Sequence, residues 1–349
     1  MSMGKYSLDS YERVPTVRFR PAESLQPARD AEAFTFRTAA AEPGKPLPEI
    51  ADRTLMEVRM PAFAPEDAAA AESALRELAS RCCRDPRVIG VTLRCGADGA
   101  LLRRMWEAAA EAFAPKRFFV PVTDGAQLDY ALRRGFLGGL LVPIGDHVYD
   151  TCEAFARSGA QELYLRVPVL VRGEGRADGA ARYAEQWHAA AVENLPGARA
   201  GWRIALRRLT CPPVMSSGGF APLRFWWTNR GPSLCHGKTE VRLRIVNGNV
   251  SFPIPLNDRP DLIPLGDRVH NEIARLPDAP PGVYRLEYGL FFRDGGPLTL
   301  CNEGQTADGF CAAGEITLDG QPRPEYEHAW DDYFPDGYYP LEDPKTPGT

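Results

Sequence analysis

No stretch of this 349-residue chain is apolar for long enough to span a bilayer: the most apolar run, "FLGGLLVPIG" from Phe136 to Gly145, is far short of it. A spanning helix needs about 20 such residues, so no membrane partner is expected. Residues 1–14, "MSMGKYSLDSYERV", contain no apolar segment of signal-peptide length. The expected location is cytoplasmic, with secretion left open if the N-terminus is incomplete. A basic stripe is also missing: 41 Lys and Arg stand against 46 Asp and Glu, for a net charge of -5. Nucleic acid, which is held by clustered cations, is therefore not an expected partner. The eight cysteines include no C-x-x-C pair and no second ligand cluster, which argues against a structural zinc. Buried free thiols are the better reading, although Cys301 and Cys311 lie where neighbouring strands can bring them together. No phosphate-binding P-loop is present. "RGEGRADG" (Arg172 to Gly179) has its glycines one residue too far apart for a dinucleotide loop. No cofactor is expected.

What is present divides into two patterns. Up to about residue 199, strands alternate with helices. Strand candidates are Val14–Arg20, Leu55–Met60, Val88–Arg94, "RFFVPV", "FLGGLLVPIG" and "LYLRVPVLVR". Helical runs separate most of them, including "PEDAAAAESALRELASRCCRD", "ALLRRMWEAAAEAF", "VYDTCEAFARSG" and "GAARYAEQWHAAAVENL". Such alternation means a parallel sheet with crossover helices, either an open doubly wound sheet or a closed eight-stranded barrel. "WRIALRRL" (Trp202 to Leu209) is a possible seventh strand.

Beyond that point the helical patterns stop. "APLRFWWTN", "TEVRLRIV", "GVYRLEYGLFF", "LTLCNE" and "AGEITL" are short strands between turn residues, as in a small β-sandwich. In "FWWTNRGPSLCHG" (Phe225 to Gly237) two adjacent tryptophans point to opposite faces of a strand. One is expected in the core, and the other at a domain interface or against a sugar ring. Asn229 and Gly231 mark the turn that follows. The acidic, aromatic and Pro-rich segment 320–349 has no periodicity and reads as a tail lying along the surface. It is also a possible docking segment for a partner.

"GWRIALRRL", "FWWTNRGPSLCHG", "LPDAPPGVYRLEYGLFF" and "AAGEITL", in that order, resemble the domain of unknown function 4832 family. There a β-sandwich follows a glycoside-hydrolase-like (β/α)8 barrel. The front half is similar to that barrel at "VRFRPAESLQPARDAEAFTF", "RCCRDPRVIGVTLRCG", "RRGFLGGLLVPIGD" and "VPVLVRGEG". The resemblance implies a TIM-like (β/α) barrel, complete or incomplete, over residues 1–199, an antiparallel β-sandwich over 200–319, and the tail. It also implies a carbohydrate ligand. The family's Gly-Glu-Trp motif is absent, since "VTLRCGADGALL" offers only Asp98.

Glycoside hydrolysis uses two carboxyls across the scissile bond, and barrels carry them at the carboxyl ends of strands. Asp98, Asp146 and Glu174 occupy that position and are the candidate catalytic residues. Glu174 is the candidate nucleophile or base, and Asp98 a stand-in acid. Glu57, His147, Arg172 and Trp227 are candidate substrate-binding residues. The bland reading makes the carboxylates helix caps, or partners of Arg172 and Arg176. Two functions stay open: a glycoside hydrolase with a degenerate acid/base pair, or a noncatalytic carbohydrate-binding or scaffold protein.

Overall fold

The computed structural model describes residues 34–97, 99–122, 125–175, 180–293 and 295–329. The expected strand Val14–Arg20, Asp98 and the tail beyond 329 lie outside the described residues. Seven strands form one parallel sheet in sequence order: β1 (Arg37–Ala41), β2 (Thr54–Met60), β3 (Val88–Cys95), β4 (Arg117–Pro121), β5 (Gly139–Ile144), β6 (Val169–Gly173) and β7 (Ala189–Glu193). Helices α1 (Ala68–Cys82), α2 (Gly99–Ala112), α3 (Gly125–Arg134), α4 (Val148–Arg157) and α5 (Ala180–Gln186) alternate with β2 to β7. A doubly wound sheet reverses its strand order at a switch point; this sheet does not. It curls until its edges meet. Thr35 bridges Val192 in parallel, the Phe36 N–H donates to Val192 O at 3.1 Å, and the Val192 N–H donates to Phe34 O at 2.9 Å.

The two strands that meet at this seam, "RTAAA" and "AAAVE", are not the ones their composition suggests. Alanine favours helix, so the expected helix through "AEQWHAAAVENL" is natural. The chain instead leaves α5 at Gln186, turns through His188 at φ 56°, and enters β7. Burial decides: Ala189, Ala190 and Ala191 are all buried, where a small side chain lets neighbouring elements approach.

Inside the curl, Phe36, Leu55, Phe119, Leu141, Leu170 and Ala191 form a separate buried cluster, each at most 3% exposed. The ring of Phe119 occupies the space that a methyl group on Gly90 or Gly139 would need, so both flanking strands carry glycine there. The larger cluster, including Leu75, Met105, Trp106, Leu128 and Phe155, lies between the sheet and the helices outside it.

The second half builds a three-stranded and a five-stranded sheet. The first comprises β8 (Ile204–Thr210), β10 (Phe220–Asn229) and β13 (Gly266–Arg275). The second comprises β9 (Val214–Ser216), β11 (Thr239–Asn247), β12 (Val250–Ile254), β14 (Gly282–Phe292) and β15 (Cys311–Asp319). All pairings are antiparallel except β9 with β15. The two sheets share one hydrophobic cluster that includes Leu206, Phe225, Trp227, Ile245 and Tyr288. "WRIALRRL", a possible strand of the parallel sheet, belongs here as β8.

This second half meets the parallel sheet at the amino ends of its strands. Arg117, which opens β4, donates to His236 O at 2.5 Å. His188, just before β7, places Nδ1 2.7 Å from Pro232 O and stacks on Tyr164 at 3.7 Å. Phe34 and Trp202 meet edge to face at 5.0 Å. A methyl group on Gly231 would lie 2.6 Å from Trp202 Cα, so the turn after the tandem tryptophans accepts only glycine. Asn229 holds that turn, its Oδ1 accepting from the N–H groups of Arg203 at 2.9 Å and Gly231 at 3.1 Å.

Candidate functional site

Because side chains alternate along a strand, the residues two positions beyond the inner cluster also face inward, nearer the carboxyl ends. Leu55 is followed by Glu57, Leu170 by Arg172, Phe36 by Thr38 and Ala191 by Glu193. Direct contacts bear this out. Arg172 on β6 donates through Nη1 to Glu57 Oε2 on β2 at 3.0 Å. Three strands stand between these two one way around the curl and two the other, so the contact passes through the interior.

Glu57 is 4% exposed. A second arginine, Arg59, donates Nε to its Oε1 at 2.6 Å. Burial raises the Glu57 carboxyl, but the hydrogen bonds and charges of Arg59 and Arg172 outweigh it and hold the group below the usual carboxylate range. Burial lowers the Arg172 guanidinium, and its ion pairs with Glu174 and Glu57 more than restore it. Arg172 also gives Nε to Glu174 Oε1 at 3.0 Å, and Nη1 lies 3.4 Å from Thr38 Oγ1. Thr38 in turn donates both its N–H and its hydroxyl to Glu193, each at 2.5 Å. Arg172 thus links Glu57 and Glu174 directly, and Glu193 through Thr38.

Glu174 directly follows β6, and its N–H donates to Ile144 O at 2.7 Å, prolonging the ladder to β5. Its side chain is 44% exposed, so the network opens to solvent here. Asp146 lies beside it across the loops: a methyl group on Gly175 would collide with the Asp146 carboxylate. The expectation that Asp146 caps the following helix is corrected. His147 is the N-cap of α4, with no side-chain cap bond. Both residues are exposed.

Trp227 does not belong to this rim. It is 1% exposed within the core of the second half, stacked at 6.4 Å on Phe225. That half contacts the opposite end of the strands, so a substrate at the carboxyl rim is out of reach of Trp227. Trp226 takes the other face, half-buried under the Arg207 guanidinium at 4.4 Å. Sequence reasoning missed Glu193, Thr38, Arg59 and Tyr149. Tyr149, the second residue of α4, is 79% exposed at the same rim as Asp146. The alternations E-V-R in β2 and R-G-E leaving β6 are the signals that place charge on one face at a strand end.

None of the eight cysteines is joined in a disulfide. Among the described residues no group of three His, Cys, Asp or Glu side chains is arranged to hold a metal ion. No helix among the described residues is long and apolar enough to cross a membrane.

No family model and no curated protein matches the chain. Solved structures give distant likenesses. A Bacteroides uniformis β-glucuronidase is 11% identical with a TM-score of 0.28, over 77% of this chain and 39% of that one. A Listeria innocua β-glucosidase is 11% identical with a TM-score of 0.26, over 88% of this chain and 48% of that one. A CARDB domain from Pyrococcus furiosus is 13% identical with a TM-score of 0.23, over 34% of this chain and 95% of that one. These scores are too low to carry a functional argument. The chain spans less than half the length of either glycosidase.

Proposed function

We propose that this protein is carbohydrate-active, taking a glycan at the carboxyl rim of a TIM-like barrel that is followed by a β-sandwich. The observation that carries the reading is the cluster of Glu57, Arg172 and Glu174 at the carboxyl ends of β2 and β6, where barrel proteins keep their chemistry. The resemblance to the domain of unknown function 4832 family supports a sugar as the ligand. Carboxylates and guanidiniums supply the acceptors and donors that sugar hydroxyls need, and the exposed ring of Tyr149 offers an apolar face for a pyranose.

Binding without cleavage is the form the geometry favours. Hydrolysis needs one carboxyl that stays protonated to assist the leaving group. Two arginines hold Glu57 ionised, and Arg172 also occupies Oε1 of Glu174. The hydrolytic reading retains one supporting fact: an ionised, buried Glu57 suits a nucleophile or base, with Glu174 or Asp146 on the exposed side as acid.

A glycan-array and chromogenic-glycoside screen of wild type beside Glu174→Gln and Glu57→Gln tests both. Binding without turnover in wild type supports the favoured reading. Turnover abolished by either substitution replaces it with the hydrolytic one. No binding and no turnover in any protein rejects a carbohydrate role.

A further inference from the structure

Two further arginines stand at the rim, on the side away from Glu174. Arg59 and Arg94 are register partners on β2 and β3, and neighbouring strands lie about 4.8 Å apart, so their stems run side by side. Both project to the inner side. Arg59 follows Glu57 by two positions and bonds to it. Arg94 follows Thr92, the register partner of Glu57, while Leu93 between them packs in the outer cluster. Arg59 is half exposed and has one partner among the described residues, Glu57. Arg94 is exposed and has no hydrogen bond or ion pair among the described residues. Beneath them, Thr92 is 2% exposed and its hydroxyl has no hydrogen-bond partner. The rim is therefore polarised. Glu174 and Glu193 sit with Arg172 on the β6–β7 side, while among the described residues the β2–β3 side carries two guanidiniums against one carboxylate, Glu57, which Arg172 also neutralises.

We infer that Arg59 and Arg94 form a recognition point for an oxyanion on the glycan, a carboxylate or a sulfate. This rests on the reading of the rim as a glycan site and narrows the ligand to acidic sugars. A guanidinium presents paired donors whose spacing matches two oxygens of a carboxylate or sulfate. A neutral sugar leaves the Arg94 charge uncompensated. An acidic one is gripped by Arg94 and the free edge of Arg59, with its ring over the mouth toward Arg172 and Glu174. The Thr92 hydroxyl lies below as a donor within the floor.

The test uses the full chain as wild type, Arg94→Gln and Arg59→Gln. Calorimetric titration is run with uronate-containing, sulfated and neutral oligosaccharides chosen from an array, and with inorganic sulfate and glucuronate alone. Arg94 has no partner among the described residues to lose, so Arg94→Gln is expected to fold, as circular dichroism checks. The expected result is an acidic oligosaccharide bound at least about tenfold more tightly than its neutral counterpart, with about a tenfold loss in Arg94→Gln, the scale of one charge-assisted hydrogen bond. The uronate and sulfate arms identify the anion. Neutral and acidic sugars bound alike, or no change in Arg94→Gln, overturns the inference and leaves the glycan reading standing. Sulfate or glucuronate bound in an Arg94-dependent way, with no oligosaccharide bound, keeps the oxyanion site and removes the glycan reading. No binding of any probe removes both.

Discussion

At the scale of the residue, buried Glu57 and half-buried His236 both contribute to the protein's response to acid. Glu57 has its carboxyl held below the usual range by Arg59 and Arg172 despite burial, which acts the other way. The unfolded chain therefore takes up a proton at Glu57 before the folded one does. The stability this group contributes is complete at neutral pH and lost as pH falls through its folded value. Glu57→Ala should cost about 3 kcal/mol at pH 7, because Arg172 is left buried with one partner fewer; Glu174→Ala, at the solvent edge, should cost less than about 1 kcal/mol. Urea unfolding of both variants checks this, and the gap between Glu57→Ala and wild type should shrink in acid. His236 acts in a different window. Burial, with the nearby Arg117 charge, pushes its imidazole down to about 4. Between about 6.5 and that value the unfolded chain binds the extra proton, so stability declines as pH drops through this window and levels off below it. A His236→Phe variant should show a flatter slope of unfolding free energy between pH 6.5 and 4, with a difference of at most about 3 kcal/mol.

At the scale of the element, what was legible followed from side-chain chemistry. β2 through β6 carry Val, Leu, Ile or Phe in short runs between turn signals, so their strand character shows in the sequence. β1 and β7 do not show it, because "RTAAA" and "AAAVE" carry alanines whose strand role depends on burial at the seam. The same error hid Glu193, which a helix would have turned away from the rim. Glu57, Arg172 and Glu174 were visible because they sit on, or just beyond, recognisable strands. Arg59 and Arg94 needed the register between β2 and β3, which pattern alone does not supply. The glycines against Phe119 are a packing feature of the same kind. Gly90→Ala should destabilise by about 1–3 kcal/mol through overpacking, and Phe119→Leu in the same chain should recover part of the loss. Thermal and denaturant unfolding of the single and double variants measures that coupling.

At the scale of the whole molecule, the segment "FWWTNRGPSLCHG" joins the two halves more than it recognises a ligand. Trp227 anchors the core, Asn229 shapes the turn, Gly231 packs on the linker at Trp202 and Arg203, and Pro232 and His236 meet the amino ends of the parallel strands. A side chain at Gly231 collides with Trp202 and Arg203. Gly231→Val should therefore split a single calorimetric unfolding transition into two, each half melting by itself. A single transition at an unchanged temperature would show that the halves are coupled elsewhere. The segment after β15 is tied to the second half through 329: Arg323 pairs with Asp319 at 2.6 Å, and the Tyr326 hydroxyl donates to Val214 O at 3.4 Å.

The parallel half is closed along its axis. Aromatic and aliphatic side chains stop its middle, and the antiparallel half abuts its far end. A ligand held at the carboxyl rim, as proposed, would therefore arrive and leave on the same side, so a departing molecule and its successor would compete for one approach, and nothing can be threaded from end to end.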